Sequence, residues 1–183
     1  MPLITRRSLL AAGGTLAAGL GSRKSHAADL NDLAQALTPT DPPVPAPDIA
    51  FTAADGTEHH LSDFIGHGMV VNLWATWCAP CVEEMPSLAA LSKRLAPDDI
   101  AVLPLSSDRG GAGAVEAFFE QHDITGLPVL LDPKGAAAHA WHARGIPTSL
   151  IVDKRGRERA RLEGSADWST PQAATIVRKL IAA

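Results

Sequence analysis

Met69-Val70-Val71-Asn72-Leu73-Trp74-Ala75-Thr76-Trp77-Cys78-Ala79-Pro80-Cys81 is the stretch that decides the fold of this chain. It holds both cysteines of the 183-residue sequence, three positions apart. Met69–Ala75 is an apolar run of strand length, which predicts a buried strand. The residues from Cys81 to Leu95 carry a helical pattern. A Cys-x-x-Cys pair at a strand-to-helix junction is a redox device: its thiols are close enough to bridge, and the first sits at a helix N-terminus.

Other uses of two close cysteines fit less well. Half a zinc site needs two more sulfur or imidazole ligands at tight spacing, and the sequence has no second Cys-x-x-Cys and no His-x-x-x-His. His59 and His60 are adjacent, so on a strand they point to opposite faces. Attachment of a c-type haem needs His directly after the second cysteine, where Val82 stands. An inert structural disulfide closing so small a loop would add little stabilisation.

The formal charge is −4, unevenly spread. Residues 1–27 carry Arg6, Arg7, Arg23 and Lys24 and no acid; the remainder has 12 basic and 20 acidic side chains, a net −8. An acidic body argues against nucleic acid and anionic membrane surfaces as partners. Hydrophobic content of 46% is ordinary for one globular core.

Residues 1–27 read as an export signal. Met1–Arg7 is a basic start, Ser8–Gly21 a mildly apolar core, and Ser25-His26-Ala27 a small-x-small cleavage site, so a mature chain is expected to begin near Ala28. The apolar core is short for a membrane span. Thr5-Arg6-Arg7-Ser8-Leu9-Leu10 resembles the twin-arginine export motif; a general secretory signal holding two arginines is the alternative. The chain is expected in the periplasm, or tethered to the inner membrane if the signal is uncleaved.

Residues 28–47 are expected to form a short helix, with its stripe at Leu30, Leu33 and Leu37, and a proline-rich linker at Thr38–Pro47. The folded domain is expected over 48–183. Asp55-Gly56 between Ile49–Ala53 and Thr57–Leu61 predicts a hairpin. Further strands are expected at Met69–Ala75, Ile100–Ser106, Val129–Asp132, Ser149–Asp153 and Arg157–Leu162. Helices are expected at Pro80–Leu95, kinked by Pro86, at Ala112–His122 with an acidic start, at Lys134–Ala143, and at Thr170–Ala183 with Ser169 or Thr170 as cap. This order implies an α/β fold, a mixed central sheet with helices on both faces and an N-terminal β-hairpin extension.

Four segments carry a family resemblance: Asn72–Cys81, Glu83-Glu84-Met85-Pro86, Gly145-Ile146-Pro147-Thr148, and Leu150-Ile151-Val152-Asp153-Lys154-Arg155-Gly156. Through them the chain resembles the TlpA/ResA branch of the thioredoxin superfamily, which includes the DsbE-type thioredoxins of cytochrome c maturation. The resemblance implies a thioredoxin-like fold and a thiol–disulfide oxidoreductase of the bacterial envelope. Ordinary thioredoxins carry a buried acid where this chain has Asn72, while Glu84 matches the acid typical of the envelope branch. The resemblance implies a proton-handling role for Glu84; a first-turn carboxylate that only favours the helix dipole is the alternative, better suited to Glu83. It also implies a cis Ile146–Pro147 bond beside Cys78, offering the Ile146 backbone to a partner peptide as an added strand.

Helix position makes Cys78 the attacking thiolate and Cys81 the resolving one. Pro80 tolerates an N-terminal helical position because it lacks only an orphaned N–H. Trp77 offers an apolar platform for substrate. No cofactor beyond the two thiols is called for. With no other cysteine, electrons must come from outside, by resemblance from a membrane dithiol donor, and pass to protein disulfides of the envelope, for example in cytochrome c maturation or metal-site assembly. Peroxidase chemistry of the peroxiredoxin kind fits less well, since it needs Thr where Ala75 stands. The alternative from another class is a copper chaperone that binds metal through Cys78 and Cys81.

Overall fold

The structure is a computed structural model and describes residues 33–183. The expected export signal lies outside the described residues, as does Leu30. Leu33 and Leu37, the rest of that apolar stripe, are buried, with the Leu37 amide bonded to the Leu33 carbonyl at 3.0 Å.

The described strands are β1 (Thr38–Pro45), β2 (Ala50–Ala53), β3 (Glu58–His60), β4 (Gly68–Trp74), β5 (Ile100–Ser106), β6 (Leu130–Leu131), β7 (Thr148–Val152) and β8 (Arg157–Glu163). They form one sheet in the order β1-β8-β7-β4-β5-β6-β2-β3. Residues 33–36 are helical, on the segment where a short helix was expected, and the helices that follow are α1 (Ala79–Leu95), α2 (Gly111–Gln121), α3 (Ala136–Ala140) and α4 (Pro171–Ala182). Thr170 caps α4, its side chain accepting the Ala173 amide at 3.1 Å, with Pro171 in the first turn. Among the described residues no helix is long and apolar enough to cross a membrane.

β4 is buried along its whole length, as its apolar run requires. Its alternation divides the core. Val70 and Trp74 face α1, α2 and α4, together with Met85, Leu88, Phe118, Phe119 and Val177. Met69, Val71 and Leu73 face the other side, with Phe51, Leu61, Leu130 and Trp141. The expected mixed sheet with helical layers on both faces is thus present, and the β2–β3 hairpin extends its β6 side.

Strand direction positions the site. β4 and β5 pair in parallel from Gly68↔Ile100 to Trp74↔Ser106, and β5 and β6 pair in parallel through Ser106↔Leu131. The carboxyl ends of all three strands therefore open on one edge of the sheet. β7 runs antiparallel to β4, and its first residue, Thr148, lies opposite Leu73. The loop before β7 reaches the same edge.

Three expectations need correction. The proline-rich segment at Thr38–Pro47 is not a linker. Thr38–Pro45 is edge strand β1, antiparallel to β8 with Thr38↔Arg161 and Pro45↔Arg157 and a register shift between. An edge strand leaves half of its N–H groups unpaired, so it tolerates the prolines that argue against an interior strand. The folded body therefore starts ahead of Asp48. Second, α2 has no acid in its first turn, because Asp108 precedes the helix and turns inward. Third, the helix expected over Lys134–Ala143 is limited to Ala136–Ala140, with Gly135 in the left-handed region at its start and Trp141 ending it. Pro86 lies on the exposed side of α1, within a single helical span.

Candidate active site

Cys78 is the N-cap of α1 and Cys81 lies in its first turn, with Pro80 at an N-terminal helical position as the sequence predicts. The two are joined as a disulfide with Cα atoms 5.2 Å apart. The Cys81 amide donates to Cys78 Sγ at 3.3 Å, so a free helix N–H faces the first sulfur. Cys81 is fully buried, whereas Cys78 keeps 5% of its surface. Trp77 beside it is 70% exposed, an unusual placement for an indole in a well-packed fold.

The Ile146–Pro147 bond is cis, as the resemblance implied. Ile146 is half-buried, and its carbonyl oxygen lies 3.8 Å from Cys78 Sγ. Thr148 Oγ1 donates to the Gly145 carbonyl at 2.7 Å and ties the loop to the start of β7. A second cis bond, Asp41–Pro42, lies in β1 and was not expected.

Glu84 lies one helical turn beyond Cys81, on the same side of α1. It is only 2% exposed, which sets it apart from the exposed Glu83. Asn72 lies on β4 between Val70 and Trp74, so strand alternation turns it toward α1. Asn72 Nδ2 donates to Glu84 Oε2 at 3.3 Å and to Ser149 Oγ at 2.9 Å. Trp168 Nε1 donates to Glu84 Oε1 at 2.6 Å, and the Ala166 amide donates to the same oxygen at 3.2 Å. Burial pushes the Glu84 carboxyl above the usual range, and these three donors pull against it. Glu84 also lines an open hollow of about 340 Å³ with Glu83, Ser87, Ser165, Ala166 and Asp167, so a buried acid sits at the wall of a water-accessible space.

The loop that carries Trp77 is held from the neighbouring strand end. Asp108, 4% exposed, accepts the Thr76 amide at 2.9 Å, the Thr76 hydroxyl at 2.6 Å and the Ser106 hydroxyl at 2.7 Å. Asp108, Trp168, Ala166 and Ser149 were not picked out from the sequence. Asp108 lies in Ser106-Ser107-Asp108, a run of side chains that commonly bond nearby backbone, and that was the available signal. Nothing local marks Trp168, which meets Glu84 across 84 positions. Among the described residues no three His, Cys, Asp or Glu side chains are grouped to hold a metal ion.

Similarity to known proteins agrees with this geometry. Residues 43–160 match the AhpC/TSA family. The thiol-disulfide oxidoreductase ResA of Geobacillus kaustophilus is 32% identical over 120 residues, 66% of this chain and 68% of the relative. The thioredoxin-like protein YneN of Bacillus subtilis is 36% identical over 113 residues, 61% of this chain and 65% of the relative. The crystal structure of a DsbE thiol:disulfide interchange protein from Chlorobium tepidum superposes with a TM-score of 0.64 at 25% identity, over 78% of this chain and 96% of its own. The family match over residues 43–160, the identity with ResA, the fold shared with the Chlorobium tepidum protein and the paired Cys78 and Cys81 at a helix N-terminus place the chain in the AhpC/TSA family of thioredoxin-like proteins, on its ResA- and DsbE-like branch of thiol–disulfide oxidoreductases.

Proposed function

We propose that this oxidoreductase is exported to the periplasm and acts there as a reductant of partner protein disulfides. The observation that carries the reading is the placement of Cys78: it caps α1, retains surface, and stands between the exposed Trp77 and the Ile146 carbonyl. In the reduced protein the Cys78 thiolate, favoured by the helix N-terminus, attacks one sulfur of the partner disulfide. A mixed disulfide forms and the partner's other sulfur leaves as thiolate. Cys81 then gives up its proton, with Glu84 as acceptor, and attacks Cys78 Sγ. The partner departs as a dithiol and Cys78–Cys81 is left oxidised. Two electrons have passed to the partner, and an external dithiol, by resemblance a membrane protein, restores the reduced pair.

Pro147 and Ile146 present backbone to an extended partner segment, and Trp77 and Pro80 give it an apolar surface. Residues 1–27 act as the export signal, of twin-arginine type. The test is insulin reduction by the purified chain, paired with precursor retention by an Arg6→Lys and Arg7→Lys double variant in cells. Catalysed reduction that disappears in Cys78→Ser supports the enzymatic reading. Metal binding by the reduced pair without any reductase activity would favour a metallo-chaperone instead. Normal export of the double-lysine variant would point to the general secretory route.

A further inference from the structure

The parallel β4, β5 and β6 deliver three exposed side chains to one edge of the sheet: Trp77 after β4, Arg109 after β5 and Lys134 after β6. They border an open groove of about 630 Å³ whose wall also takes in Ser107, Asp108, Gly110, Pro133 and Gly135. The crevice outside the carboxyl ends of parallel strands is where open α/β sheets bind their ligands. The groove begins at Trp77, the residue next to Cys78, so whatever fills it is held beside the reacting sulfur.

Its charge is sorted by depth. Two acids belong to the same loops, Asp108 and Asp132, and both are turned inward at 4% and 5% exposure. Asp108 is engaged by Thr76 and Ser106. Asp132 accepts the amides of Ala136 and Ala137, each at 2.8 Å. Arg109 and Lys134 take part in no salt bridge or side-chain hydrogen bond among the described residues. The charged hollow at the opposite end of the sheet mixes its signs: Arg157 pairs with Asp153 and Arg178 with Asp98, while Lys154 and Arg155 on its wall have no salt bridge among the described residues. On the other side of the active site, Glu83 and Asp167 line the hollow beside Glu84. The redox edge thus shows a cationic flank and an anionic flank on a body that is acidic overall.

We propose that the groove bounded by Trp77, Arg109 and Lys134 is a docking surface for an acidic segment flanking the disulfide of the partner protein. The indole takes an apolar residue of that segment, and the two cations take its carboxylates. This assignment rests on the oxidoreductase reading above and narrows its substrate class to disulfides with acidic neighbours.

The test uses the reduced full chain and three peptides, each with one internal disulfide and alike except for two flanking Asp, two Asn or two Lys residues. Exchange rates are measured by acid quenching and mass spectrometry. At low salt the Asp peptide should outrun the Asn peptide about three- to tenfold, as expected for two exposed charge pairs plus steering. The preference should fade at about 1 M salt. It should collapse in an Arg109→Gln, Lys134→Gln double variant and turn toward the Lys peptide in Arg109→Glu, Lys134→Glu. A Lys154→Gln, Arg155→Gln variant makes the same change in net charge at the far end of the sheet and should keep the wild-type ratio. A wild-type Asp-to-Asn ratio near one, or a ratio that survives substitution of Arg109 and Lys134, overturns the docking surface while leaving the oxidoreductase reading intact. Failure of all three peptides to oxidise the dithiol would remove both.

Discussion

Trp168 donates its indole N–H to the Glu84 carboxylate at 2.6 Å, from a loop that closes over α1 just ahead of α4. Both side chains are buried. The pair sets the balance at an acid buried against the first turns of α1: burial favours the neutral carboxyl, and the indole, the Ala166 amide and Asn72 favour the charged one. The proton-acceptor role proposed for Glu84 depends on this balance, because a general base works best when its pKa lies near the working pH.

Trp168→Phe keeps the apolar bulk and removes the shortest of the three donors. The Glu84 carboxyl should then titrate at higher pH than in the wild type. A pH–rate profile of thiol–disulfide exchange should shift in the same direction, and carboxyl-carbon NMR of Glu84 reads the titration directly. An unmoved Glu84 resonance would show that the indole has no hold on the acid.

Glu84→Gln separates the chemical role from the structural one. Burial raises the folded-state pKa of Glu84 above its unfolded value. The native state is therefore free of the ionisation penalty below the unfolded pKa and loses stability as pH rises through the folded one. A permanently neutral Gln escapes that loss, so the variant should gain stability on wild type as pH rises from the acid end, below the usual carboxylate range, to the alkaline end. Urea melts at the two ends check this. Exchange by the same variant should slow and change its pH dependence, whereas the exposed Glu83→Gln should do little; identical profiles for the two variants would sink the proton-acceptor role.

After reduction, Cys78 should alkylate faster than Cys81 at neutral pH. It faces the Cys81 amide at the helix N-terminus and keeps surface, while Cys81 keeps none. Cys78→Ser should abolish reductase activity, and Cys81→Ser should accumulate mixed disulfides without turnover. Peptide mapping after a brief iodoacetamide pulse decides the order, and faster labelling of Cys81 reverses the assigned roles.

What the sequence made legible follows from the range of the interactions involved. Cys78, Cys81, Pro80 and the capping of α1 are local, settled within one helical turn, and could be read directly. Glu84 and the cis Ile146–Pro147 bond were legible only through family resemblance, since their partners lie far along the chain. Asn72 was seen as a missing acid; its bond to Glu84 depends on which face of β4 meets α1, which the apolar run hides because β4 is buried on both sides. β1 was misread because prolines signal a linker locally, and only its place at the sheet edge, beside β8, makes them compatible with a strand. The groove at Arg109 and Lys134 needed the parallel register of three strands before the two cations came together.

Asp108 supplies the last prediction, because its side chain ties the β5 end to Thr76, in the loop carrying Trp77 and Cys78. Its two oxygens accept from the Thr76 amide, the Thr76 hydroxyl and the Ser106 hydroxyl. Asp108→Ala leaves these donors without their partner, the Ser106 hydroxyl fully buried and the Thr76 groups half-buried. The expected loss is about 1–3 kcal/mol of stability, the usual cost of a stranded buried donor. Asp108→Asn keeps one carbonyl acceptor and should fall between Ala and wild type. Because Thr76 no longer holds its place, Trp77 and Cys78 gain freedom, and exchange with peptide disulfides should slow in the same order, wild type, Asn, Ala. Urea melts give the stability series and peptide exchange gives the rate series. A rate that drops only when the protein begins to unfold would make Asp108 a packing residue alone; a rate that drops in the fully folded variants makes it the positioning residue of the redox loop.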